Sequence, residues 1–176
     1  MIVFKDLISG DELFSEGHKP KLVDDVIYEV DSEFQFVSNG VDDRLIGANP
    51  SGEGDDDEVC ETKERVIGLV HGSRLVPCPS FKEHYKSHLK SYLKAIKTHL
   101  QEKNPARVEI FENGIKTYMR DVFKNIDDYE FYMGETCNSQ GMVVLMNFRS
   151  DGMTPYFVFF KDGLVEEKYF ISLDST

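Results

Sequence analysis

"GMVVLMNFRSDGMTPYFVFFKDGLVEEK", residues 141–168, is the stretch that sets the fold class. Met142 to Met146 and Tyr156 to Phe160 are nearly unbroken apolar runs, rich in β-branched and aromatic side chains. Runs this short without polar alternation suit central strands buried on both faces. Asp151-Gly152 and Asp162-Gly163 supply turn dipeptides, so the stretch predicts three antiparallel strands in a meander.

The residues just before it follow a different period. Ser80 with Glu83 three positions on predicts an N-cap and capping box, opening a helix that runs to about Lys103. Phe81, Tyr85, Leu89, Tyr92, Leu93, Ile96 and Leu100 share one face of it, beside a row formed by Lys82, Lys86, Lys90, Lys94 and Lys97. Asn104 stops this helix and Pro105 takes the favoured first position of a second. There Val108, Phe111, Ile115, Met119, Val122 and Phe123 make the apolar face, and Lys116, Arg120 and Lys124 a second basic row. The short connection makes residues 80–124 an antiparallel helical hairpin.

Toward the N-terminus, Ser9 is placed to cap a helical turn containing Asp11 and Glu12. "LVDDVIYEV" (22–30) and "EFQFV" (33–37) read as strands that pair across Asp31 to Glu33, with Phe34 and Phe36 on a half-buried face. "RVIGLV" (65–70) reads as another short strand. Between them, residues 39–65 lose all periodicity and carry seven acids from Glu53 to Glu64 against one base, Lys63. Self-repulsion and glycine entropy predict a long, mobile acidic loop. Strands, acidic loop, inserted helical hairpin and strands again make an α+β fold on an antiparallel sheet core. At 176 residues the chain is expected to form one domain, residues 1–176.

Charge is unevenly spread. The formal net charge is −12, which argues against nucleic acid as a primary partner. Residues 80–124 nevertheless hold ten Lys or Arg against five Asp or Glu, a net +5 that leaves −17 for the rest. Such a face on an acidic protein suits docking of an acidic partner surface, and Lys86, Lys90, Lys94 and Lys97 are the candidate contacts. The alternative is that amphipathic helices simply need a polar outer face. No signal peptide or membrane span is legible, so a cytoplasmic protein without membrane attachment is expected.

Other chemistry is poorly supported. His84 and His88 have the i,i+4 spacing of a zinc pair, but Tyr85 stands where a zinc protease has Glu and Lys86 adds a cation, so both read as surface histidines. Cys60, Cys78 and Cys137 are odd in number and lack C-x-x-C spacing, so they read as reduced thiols; Cys60 sits among acids and Cys78 between two prolines with no assignable base, so neither reads as a nucleophile. No hydrolase motif occurs, and the chain is expected not to be an enzyme. Gly47 to Gly52 has phosphate-loop spacing, yet Glu53 and Gly54 follow where Lys and Ser or Thr belong. Asp55, Asp56, Asp57 and Glu58 can take calcium weakly, because the run lacks EF-hand spacing and ordering it costs entropy. No cofactor is required on this reading.

"IGANPSGEG" (46–54), "EFYMGE" (130–135), "GMVVLMNF" (141–148) and "DGMTPYFVFFKDGLVEEK" (151–168), with "KDLISGDELFS" (5–15) and "YKSHLKSYLKAIK" (85–97), resemble the translationally controlled tumour protein family across nearly the whole chain. Gln140 replaces a usual acid, Gly52 a frequent Ala, and the tail 169–176 runs past the usual end. The resemblance implies a β-tent fold similar to Rab-type GTPase release factors, with the hairpin projecting from it. It implies a monomeric cytoplasmic regulator of growth and survival with many partners, binding tubulin and microtubules and, weakly, calcium. It also implies an alternative, nucleotide exchange on a Rheb-type small GTPase, with Glu12 matching the implicated acid; calcium buffering is a further alternative, read from the acids Asp55 to Glu58 themselves.

Overall fold

The structure is a computed structural model, and it describes residues 1–38 and 63–169. Its centre is the predicted pair of apolar runs. Strand β9 (Val144–Phe148) and strand β10 (Pro155–Phe160) pair antiparallel, Phe157 opposite Met146. Val144, Leu145, Phe157, Val158 and Phe159 are all fully buried, as strands covered on both faces require. The turn between them is set by Asp151, whose carboxylate accepts the N–H groups of Met153 and Thr154 at 2.8 Å and the Thr154 hydroxyl at 2.6 Å.

The third strand of the meander is not the predicted one. It is β8 (Glu130–Met133), which lies on the other side of β9. After Asp162-Gly163 the chain leaves this sheet, the Gly163 carbonyl accepting the Leu7 N–H at 2.8 Å. Strand β11 (Leu164–Lys168) then pairs with β1 (Ile2–Asp6), which also pairs with β2 (Glu12–Ser15), giving a separate sheet of order β11-β1-β2. Tyr169 extends that pairing by exchanging backbone hydrogen bonds with Met1, so it belongs to the sheet. The rest of the predicted tail lies outside the described residues.

"LVDDVIYEV" is a hairpin in itself. Asp24 and Asp25 take left-handed conformations, φ 51° and 62°, which aspartate tolerates better than most residues. They turn β3 (Lys21–Val23) into β4 (Ile27–Asp31). With β3 on one edge and β10 on the other, β4 has no free edge for the predicted partner. Strand β5 (Phe34–Ser38) instead pairs with β6 (Lys63–Ile67) in a two-stranded ribbon, where Phe36 is exposed rather than half-buried. Residues 63–65 of the predicted loop are therefore strand, and residues 39–62 lie outside the described residues. "RVIGLV" changes type at Gly68, which opens helix α1 (Gly68–Ser73). The Glu33 carbonyl and the Ser32 hydroxyl accept its first two N–H groups.

With strand β7 (Val76–Pro77), the main sheet has the order β3-β4-β10-β9-β8-β7, antiparallel throughout. The helical hairpin packs its apolar face on this sheet and shares one core with it: the Tyr85 ring packs tilted against Phe131 at 5.0 Å and Tyr92 against Phe160 at 5.7 Å. Helix α2 spans Lys82–Lys103, with Phe81 rather than Ser80 at the N-cap and no capping box. The Phe81 N–H is taken by the Cys78 carbonyl and its ring lies against Tyr85, so tertiary packing fixes the entry instead. Helix α3 spans Arg107–Lys124, so Pro105 sits in the connection and not at the first helical position. Gly114 lets α3 approach Val26, whose methyl groups would lie 2.7 Å from any added Cβ.

Candidate partner-binding site

Helices α2 and α3 run antiparallel, with Tyr85 beside Phe123 at one end and Lys97 bonded to Glu112 at 2.6 Å farther along. Between their outer flanks lies a groove of about 440 Å³. Leu93, Phe111, Ile115 and Met119 form its floor, and Lys90, Lys94, Lys97 and Lys116 its rim. The same periodicity that buries the inner face produces this arrangement. Leu93 stands at the margin of the buried stripe and Phe111 within it, and the lysines follow one helical step outward.

The structure thus brings together three of the four predicted contacts, Lys90, Lys94 and Lys97, and leaves Lys86 exposed on α2 outside the groove lining. It adds Lys116, whose position in the α3 basic row was legible but whose convergence with α2 was not. Lys97 is neutralised by Glu112, whereas the ammonium groups of Lys90, Lys94 and Lys116 have no carboxylate partner among the described residues. Three cations without a carboxylate partner among the described residues, set around an apolar floor, are chemically suited to a ligand with carboxylates flanking an apolar side chain.

Glu12 is the first residue of β2, not part of a helical turn. Its carboxylate is exposed and takes no hydrogen bond or ion pair among the described residues. Its neighbours Asp11 and Leu13 are buried, and Asp11 is held by a latch. The Thr136 hydroxyl donates to Asp11 Oδ2 at 2.8 Å and the Thr136 N–H approaches both carboxylate oxygens at 3.4 Å. Asp6, also buried, accepts the N–H groups of Ile8 and Met142 at 3.0 and 2.7 Å and the Ser9 hydroxyl at 2.7 Å. Ser9 therefore closes a local turn on Asp6 instead of capping a helix, and Gly10 completes it at φ 80°. Gly134 and Gly141 lie directly against the two carboxylates. Two buried acids so tie the β1–β2 loop to residues 134–142 and fix the edge on which Glu12 stands.

Reasoning from the sequence missed this latch. Asp6 and Ser9 at Asx-turn spacing were its one local trace; the partners Thr136 and Met142 lie more than a hundred residues away. His88 also departs from expectation. His84 is exposed, but His88 is half-buried between the Phe81 and Tyr92 rings, with Nε2 3.0 Å from the Gly141 carbonyl. Burial lowers its pKa, and its Nδ1 is buried without a partner. Among the described residues no group of three or more His, Cys, Asp and Glu side chains is placed to hold a metal. Asp55, Asp56, Asp57 and Glu58, the expected weak calcium ligands, lie outside the described residues, as does Cys60. Cys78 is partly buried, which raises its thiol pKa, and Cys137 is exposed. No described helix is long and apolar enough to cross a membrane.

The connecting end of the hairpin is pinned by Arg107, the first residue of α3. Its guanidinium donates to Asp162 through Nε at 3.0 Å and Nη2 at 2.7 Å, to Asp25 Oδ2 at 2.8 Å and to the Asp25 carbonyl at 2.8 Å. The middle of α3 is held by the Tyr118 hydroxyl, which donates to Glu29 at 2.7 Å, and Glu29 in turn accepts from Arg149. These contacts fix the hairpin, and hence the groove, relative to the sheet.

The profile described as "Translationally controlled tumour protein" matches residues 1–165. A translationally-controlled tumor protein homolog of Schistosoma japonicum is 62% identical over 169 residues, covering 96% of this chain and 100% of that protein. The homolog of Schizosaccharomyces pombe is 48% identical over 169 residues, with 96% and 100% covered. Among solved structures, the tumor-associated protein p23fyp of S. pombe superposes with a TM-score of 0.80 over 96% of this chain and all of its own, at 48% identity. The NMR structure of the Caenorhabditis elegans protein superposes with 0.70 over 97% and 100%, at 28% identity. On sequence along most of its length and on fold alike, the chain belongs to the translationally controlled tumour protein family.

Proposed function

We propose that the protein is a cytoplasmic, non-enzymatic regulator of growth and survival that works by engaging several partners. The α2–α3 groove is its main docking surface, and acidic segments such as the tails of tubulin are its ligands. One observation carries this reading: Lys90, Lys94 and Lys116 surround an apolar floor and have no carboxylate partner among the described residues, on a chain whose net charge is −12. Attraction between exposed charges is screened within about 10 Å at 0.1 M salt and about 3 Å at 1 M. Co-sedimentation with microtubules is therefore expected to weaken steeply with salt. The triple variant Lys90→Glu, Lys94→Glu, Lys116→Glu is expected to abolish it, while Lys86→Glu alone has a small effect. Intact binding by the triple variant defeats the proposal.

A second reading rests on Glu12. A carboxylate without a partner among the described residues, on an edge strand, is suited to compete with nucleotide phosphates for the lysine or magnesium of a Rheb-type GTPase, promoting exchange without covalent chemistry. Exchange measured with purified GTPase should drop in Glu12→Val; an unchanged rate rejects this role.

A further inference from the structure

A second surface lies where the β5–β6 ribbon departs from the main sheet, at the hydrogen bond from the Ser32 N–H to the Pro155 carbonyl. The sheet elsewhere hides its aromatic rings, with Phe157, Phe159 and Phe160 at 0–1% exposure. Here Met153 is 74%, Phe36 69% and Phe148 38% exposed. Phe34 stacks on Phe148 at 6.2 Å with the rings 12° from parallel, and the two rings, Met153 and Thr154 line a cleft of about 540 Å³. Contiguous exposed apolar side chains mark interaction sites, and a methionine on such a surface adapts to varied ligands.

The charge at this cleft is as informative as its apolar lining. Arg65 lies across from Phe36 in the ribbon, with its guanidinium 3.9 Å above the Phe34 ring. Stacking of this kind holds the guanidinium plane while leaving its donors free for a carboxylate. No carboxylate pairs with Arg65 among the described residues. Glu33, which also lines the cleft, is engaged by the Gln35 amide at 3.4 Å. An oriented, unpaired guanidinium beside two aromatic faces and a thioether is built to read one carboxylate next to one apolar side chain.

We propose that this cleft is a peptide-docking site, distinct from the α2–α3 groove, whose ligand inserts an apolar side chain between Phe34, Phe148 and Met153 and places an adjacent carboxylate on Arg65. A flat anionic membrane is a poor occupant, since among the described residues Arg65 is the one cation lining the cleft and the chain as a whole carries −12.

The minimal probe is N-acetyl-phenylalanine as its carboxylate, titrated into the full chain labelled at methionine methyls and arginine Nε–H groups. Saturable shifts are expected at the Met153 methyl and the Arg65 Nε–H, with a Kd of about 1 mM, the range set by ligand efficiency for a molecule this small. The uncharged primary amide of the same compound should bind at least about tenfold more weakly, as should Arg65→Met toward the carboxylate. Unchanged Met142 and Met146 methyl signals report that the variant keeps its core. If the variant loses the ribbon, the comparison of carboxylate and amide on the unaltered chain decides the matter. Absence of a saturable shift at Met153, or equal affinity for amide and carboxylate, overturns the proposal.

Discussion

Replacing Arg107 by alanine should loosen the hairpin from the sheet, and the structure allows the cost to be worked through. The guanidinium makes four hydrogen bonds, two to Asp162 and two to Asp25. The Asp25 side chain is 51% exposed, so water replaces its lost partner and Lys161 still reaches it. That half of the site contributes little, as exposed pairs do. Asp162 is different: its side chain is 7% exposed, and removing Arg107 leaves a buried carboxylate unpaired. Breaking one side of a buried pair costs about 3–5 kcal/mol. Because some water can enter at the exposed Asp25 edge, about 3 kcal/mol is the expected loss. For a chain of this length each kcal/mol lowers Tm by about 2–4 °C, so calorimetry should find a drop of about 6–12 °C. Arg107→Lys, which keeps the charge but not the bidentate fork, should lose about half as much. Asp162→Asn removes the stranded charge and should therefore cost less in the Arg107→Ala background than in the wild type. A Tm within about 2 °C of wild type for Arg107→Ala, or strict additivity in the cycle, would refute this account of the anchor.

Two further outcomes test other parts of the molecule. Burial holds the His88 pKa below its unfolded value of 6.5, so the unfolded chain takes up a proton first; stability contributed here is complete above about pH 6.5 and declines as pH falls from there through the folded pKa. His88→Gln, which can still donate to the Gly141 carbonyl, should flatten that part of the Tm-versus-pH curve, and an unchanged slope would count against it. Gly134→Ala would put a Cβ 2.7 Å from the Asp11 Cβ, and should cost about 1–3 kcal/mol in urea unfolding while raising hydrogen exchange at Thr136; a neutral effect would show that the latch yields freely.

What could be read from the sequence was whatever depends on neighbours along the chain. The periodicity of Tyr85, Leu89, Tyr92, Ile96 and Leu100 identified the buried face of α2, and the unbroken run Tyr156 to Phe160 identified a central strand. Pairing partners were less legible. Nothing local distinguishes a β11 that continues the meander from one that crosses to β1, because the choice depends on the Leu7 contact with Gly163. "LVDDVIYEV" reads as one strand but folds as two for a related reason: two adjacent aspartates in left-handed conformation can turn a chain without the glycine that usually announces it. In the candidate site, the lysines of α2 were visible as a row, but the groove needed α3 beside them to supply Phe111, Ile115 and Lys116. The buried acids Asp6 and Asp11 looked like ordinary surface charge until residues 134–142 folded over them.

The pairing of β1 with β11 has a bearing on how the chain is made. Val3 is matched with Glu167, and β4, thirty residues in, finds its main neighbour in β10. At ribosomal speeds of about 5–20 residues per second, the first strand waits roughly ten to thirty seconds for its mate to be synthesised. During that interval one side of β1 and one side of β4 are open edges, able to recruit strands from other nascent chains. Vectorial synthesis thus favours early completion of the local α2–α3 unit, with both sheets closing only as the last strands leave the tunnel. Truncation just before β11 would leave β1 paired on a single side for good, turning a passing exposure into a lasting one.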